Sequence, residues 1–133
     1  MTYTELRRDV VILACAISAG IHGALAPEQF AEGAGAGVGF VAAAVALGAL
    51  VVAMTLGPTG AFGINGAAAV LAGLLASYAF AITTGLPVLS PDPEPVDGLA
   101  LATKAIEAAG LLAAWSLIRV PSLALTIPQP KGN

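Results

Sequence analysis

Charge is what this chain has least of. From Gly33 to Pro91 it contains no Asp, Glu, Lys, Arg or His, and over all 133 residues only 10% are charged, against roughly 25% in a soluble domain. A water-soluble globule is therefore excluded. A single cysteine, Cys15, rules out a disulfide within the chain and reads as a buried small hydrophobe. A single histidine, His22, excludes a bis-histidine haem. Aromatic residues are 5% of the chain, and no basic patch is present to suggest nucleic acid. No nucleophile has a base at a recognisable spacing, so no catalytic residue is assigned. Gly33-Ala34-Gly35-Ala36-Gly37 lacks the following Lys-Ser/Thr of a phosphate loop and reads as a flexible outer loop.

What is present is apolar: hydrophobic residues are 58% of the chain, with Ala and Gly abundant. A helix needs roughly 20 apolar residues to cross the hydrocarbon core. The charge-free run holds two crossings, separated by Gly57-Pro58-Thr59-Gly60. In all, four segments are marked, over about 10–26, 37–56, 64–84 and 99–118. Pro27 closes the first, Gly85 and Pro87 the third, and Arg119 with Pro121 the fourth. An extended outer loop spans 85–98, where proline recurs at every second position from Pro91 to Pro95, and a short tail spans 120–133. The fold class expected is all-α, an integral membrane four-helix bundle in one domain.

Arg7, Arg8, Arg119 and Lys131 fall on the side of the termini, while Glu28, Glu32, Asp92, Glu94 and Asp97 fall on the other. The positive-inside rule then makes both termini cytoplasmic. The expected location is the plasma (cytoplasmic) membrane, with the lipid bilayer as the first partner. A cleaved signal peptide ending at Ala24-Leu25-Ala26 is disfavoured by the proline that follows.

Ionisable side chains inside a bilayer are costly and carry the functional signal. His22 lies roughly 6 Å, Lys104 roughly 9 Å and Glu107 roughly 13 Å below the outer helix ends, and Tyr78 reaches a similar level. These four form a candidate outer-leaflet polar pocket, with Glu28 and Glu32 as its rim. Lys104 and Glu107, three residues apart, can instead neutralise each other, and His22 can be a hydrogen-bonded structural residue. Met54 is expected at the opposite end from His22, which excludes a His/Met haem, and no metal site of three or four ligands is visible. Gly20, Gly37, Gly66 and Gly73 are candidate helix-packing positions, within the bundle or on a dimer face.

Gly20-Ile21-His22-Gly23-Ala24-Leu25-Ala26-Pro27-Glu28-Gln29-Phe30 and Thr83-Thr84-Gly85-Leu86-Pro87 resemble small, Ala-rich four-helix bacterial membrane proteins, broadly the DoxX-like group. The resemblance implies a link to membrane redox chemistry or quinones. Gln29 stands where similar sequences often carry His, so the two-histidine metal site that the resemblance would suggest is incomplete here.

Three functions follow. The first is a non-catalytic accessory or scaffold subunit of a larger membrane complex, favoured by the near absence of soluble chain and suited by the apolar tail. The second is a quinone- or cation-binding protein using the outer pocket; the cofactor itself is unknown from sequence. The third is a homo-oligomeric transporter or channel, since four helices are too few to line a path alone.

Overall fold

The computed structural model describes residues 1–57, 61–86, 93 and 95–119. Four helices account for most of them: α1 (Tyr3–Glu32), α2 (Ala34–Leu56), α3 (Ala61–Thr83) and α4 (Gly98–Arg119). Each is long and apolar enough to cross a membrane. The expected turn at 58–60, the alternating prolines apart from Pro93 and Pro95, and the tail from Val120 lie outside the described residues.

α1 begins at a capping box. Thr2 Oγ1 accepts from Glu5 N at 3.2 Å, and Glu5 Oε2 accepts from Thr2 N at 2.6 Å, so two donors that the helix cannot pair are satisfied. The backbone N–H of Thr2, and then its hydroxyl, hold the Glu5 carboxyl below its usual value. A depressed carboxylate stabilises the fold above its unfolded pKa and loses that contribution as pH falls through the folded one. The protection factor of the Glu5 amide is accordingly expected to fall on acidification, and Thr2→Ala to produce the same fraying at neutral pH.

α1 does not end at Pro27. It runs through the proline to Glu32, where Gly33 N closes the last turn on Gln29 O at 3.0 Å. Proline removes one hydrogen bond, to the carbonyl of Gly23, without forbidding the φ of a helix, and this helix accepts that loss near its end. The charged first turns and the segment bearing Glu28 and Glu32 carry α1 beyond the apolar stretch at both ends. The glycine-rich stretch is also not a loop. Gly33 alone joins α1 to α2 in extended backbone, and Ala34 to Gly37 form the opening turn of α2. Gly37 lies directly under the Phe30 ring, where any side chain would collide, so the glycine permits a corner one residue long.

At its far end α3 stops at Gly85, whose φ of 72° is open to glycine at little cost. Asp97 then starts α4 by accepting from Ala100 N at 2.7 Å. At the end that carries residue 1, Arg8 donates to the carbonyl of Met54, in the last turn of α2, where backbone acceptors lack helical partners.

The helices pack as a ring, α1 against α2 and α4, α3 against α4 and α2, with a minor α1–α3 contact across the middle. Much of the interior is made of small residues, Ala14, Ala43, Ala67, Ala68 and Ala114 among them, around a few larger side chains such as Leu47 and Leu71. The large apolar side chains face outward, among them Val45, Phe62, Leu101 and Leu112. This inversion suits a lipid exterior, where apolar surface needs no hiding and close backbone approach drives association.

The core divides along its length. Toward the end with residue 1, Val11, Cys15, Leu47, Met54, Leu71 and Ala114 form an apolar cluster. Toward the other end the buried side chains are Ser18, His22, Thr103 and Glu107.

Candidate functional site

Each polar residue of the second half occupies a helical repeat that buries it. On α1, Val11, Cys15, Ser18 and His22 follow spacings of four, three and four; on α4, Thr103, Glu107, Gly110 and Ala114 do the same. Such spacings set residues on one helix face. The two faces meet antiparallel, with Ala14 beside Gly110 and Ser18 beside Glu107.

Glu107, at 0% exposure, is the deepest charge. One carboxylate oxygen accepts from Lys104 Nζ at 2.7 Å, and the other accepts from Ser18 Oγ at 2.6 Å. Lys104 therefore turns inward to its partner and does not snorkel to the surface. A fully buried carboxylate is thus paired by an ammonium and hydrogen-bonded by a hydroxyl, the condition for tolerating it at all. The Lys104 side chain is 15% exposed, and its Nζ lies 5.5 Å from the centre of the Tyr78 ring, within cation–π range.

His22, 6% exposed, places Nδ1 2.8 Å from its own helix's Ser18 carbonyl and 3.3 Å from Ser18 Oγ. A carbonyl only accepts, so Nδ1 carries the proton and Nε2 presents a lone pair. Among the described residues Nε2 has no hydrogen-bond partner. The ring centroid of Phe40 stands 5.0 Å from that of His22. Glu107 and His22 do not meet; Ser18 lies between them and touches both.

Above this group opens a cavity of about 420 Å³, lined by all four helices. His22, Tyr78 and Lys104 share its wall, Thr103 and Phe40 add to it, and Glu28, Glu32 and Asp97 stand toward its mouth. Glu107 is not part of the wall and is linked to it through Lys104 and, by way of Ser18, through His22. Two atoms are buried and, among the described residues, unpartnered: Tyr78 Oη and Gln29 Oε1, both on cavity-lining residues. Buried polar atoms are normally satisfied, so orphans that share one cavity call for an explanation. A larger space of about 650 Å³ lies at the other end, beside Met54, Gly57 and Ile118. It carries none of the buried ionisable groups.

The glycines separate into two kinds. A Cβ on Gly66 would come within 2.8 Å of Leu50 Cδ2, and one on Gly37 would strike Phe30, whereas at Gly20 and Gly73 it would meet nothing within 4 Å. Sequence reasoning missed Ser18, Phe40 and Gly110, and named Gln29 only as the place of a second histidine. Ser18 and Gly110 could have been found from the stripes that contain His22 and Glu107; nothing in the chain marks Phe40 as a neighbour of His22. Among the described residues no three of His, Cys, Asp and Glu come together as a metal site. Comparisons with protein-family models, curated proteins and solved structures give no match.

Proposed function

We propose that the protein spans the bacterial cytoplasmic membrane four times, both termini inside, and binds the ring-bearing polar head of a membrane-dissolved molecule, of quinone type, in its outer half. The observation that carries this reading is the pair of buried atoms without partners among the described residues, Tyr78 Oη and Gln29 Oε1, on the one cavity that His22 and Lys104 also line. A scaffold's core needs no such vacancies, whereas a binding site requires convergent polar groups in a mostly apolar wall. The orientation rests on Arg7, Arg8 and Arg119 at one end, against Glu28, Glu32 and Asp97 at the other.

The charges favour a neutral ligand. Lys104 repels a cation inside the cavity, and the acidic mouth repels an anion. Phe40 and Tyr78 supply aromatic wall for a ring. A transport path is not favoured, because the polar group ends on the apolar layer of Cys15, Leu71 and Ala114. Membership of a larger complex is compatible with binding, and a bound quinone is what such a subunit would contribute.

Mild-detergent purification from the native membrane, followed by solvent extraction and chromatography with absorbance detection, tests the reading. About one ring-bearing molecule per chain is expected, falling at least tenfold in His22→Ala and in Tyr78→Phe at unchanged helix content. A folded wild-type preparation that yields no such molecule would sink the proposal.

A further inference from the structure

The unmet groups around the cavity are not a balanced set. His22 Nε2 can only accept, because the ring's proton is committed to the Ser18 carbonyl. Gln29 Oε1 is buried without a partner among the described residues, and because the same amide carries an NH₂, Gln29 can meet a donor or an acceptor. Tyr78 Oη can act either way. Lys104 provides donors, with one N–H engaged by Glu107 and the others free to point at the cavity. A ligand that carries only carbonyl oxygens would satisfy Lys104, Tyr78 and the Gln29 amide but set a lone pair against that of His22 Nε2. A neutral ring bearing hydroxyls satisfies both kinds, donating to His22 while accepting from Lys104.

From this we infer that the pocket selects the reduced, hydroxylated form of its ring ligand, a hydroquinone, over the oxidised carbonyl form. The inference rests on the binding function proposed above and adds the redox state that the site holds. A site built to accept an O–H discriminates strongly against the analogue lacking it, since its buried acceptors would be left unpaired. Reducing the ring takes two electrons and two protons, and the protein is assigned neither; it stabilises the product of that reduction wherever it occurs. The bound couple is therefore easier to reduce than the free one.

The test uses the full chain in lipid nanodiscs, a decyl-tailed benzoquinone and its hydroquinone, and anaerobic titration followed by Tyr and Trp fluorescence. The hydroquinone is expected to bind at least tenfold more tightly, which for a two-electron couple raises the midpoint potential of the bound ring by about 30 mV. His22→Gln is expected to abolish the preference, because the amide offers a donor as well as an acceptor. If His22→Gln folds poorly, His22→Phe, which keeps a ring beside Phe40 and removes the acceptor, is expected to lose the preference in the same way. Equal affinity for the two forms, or tighter binding of the quinone, overturns the redox selectivity while leaving ring binding in place. Binding of neither form by a folded protein overturns both.

Discussion

Lys104→Met is expected to destabilise the bundle by about 3–5 kcal/mol, read by SDS-induced unfolding in mixed micelles. The substitution conserves length and apolar stem but strands Glu107, whose side chain is 0% exposed and keeps only the Ser18 hydroxyl as a donor. In low dielectric an unpaired carboxylate loses several kcal/mol of solvation that one neutral hydroxyl does not return. Removing both charges behaves differently. In Lys104→Met with Glu107→Leu no charge is left to desolvate, and the double variant is expected within about 1–2 kcal/mol of wild type. That contrast separates a destabilised pair from mere loss of packing. A Lys104→Met protein that unfolds with the wild type would mean that Glu107 is not buried as an anion. Ser18→Ala removes a hydrogen bond to a charged acceptor and is expected to cost about 1.5–3 kcal/mol.

Gly110→Leu should be the most damaging of the glycine substitutions. A Cβ there would fall 2.5 Å from Ala14 Cβ and 3.1 Å from Leu71 Cδ1, so α1, α3 and α4 would all have to part. Overpacking of a well-packed interior costs about 1–3 kcal/mol, and more when a backbone contact opens. Because Gly110 is one turn from Glu107, the same separation would lengthen the Ser18–Glu107 bond, and ligand is expected to be lost along with stability. Gly73→Leu is the matched control. Nothing lies within 4 Å of a Cβ at Gly73, and the isolated protein is expected to unfold within about 0.5 kcal/mol of wild type. Loss of a co-purifying subunit in Gly73→Leu would then report a partner's surface directly. Comparable unfolding curves for the two variants would contradict the tight α1–α4 crossing.

The extent of each helix shows where reading along the chain succeeds and where it fails. Length and hydropathy place four segments, because the thickness of the hydrocarbon is a constraint on every crossing independent of its neighbours. The ends of α1 are different. Pro27 and the Gly33–Gly37 stretch are weak local signals for a break, and packing overrides them: the Phe30 ring over Gly37 and the single-residue corner at Gly33 favour helix on both sides. Local propensity amounts to about 1 kcal/mol per glycine, within reach of a few tertiary contacts.

The amino-acid sequence by itself determined that this is an all-helical chain with four apolar spans, and that His22, Lys104 and Glu107 are its costly residues. Both conclusions follow from transfer energies, which depend on residue type and spacing alone. Only the tertiary structure decided what those residues meet. Lys104 turns to Glu107, Ser18 intervenes between Glu107 and His22, and Gln29 and Tyr78 bring unpaired atoms to the same cavity as His22. A hydrogen bond is made or lost over less than an ångström, and the rotation and depth of each helix that set such distances come from Ala and Gly contacts between helices far apart in the chain.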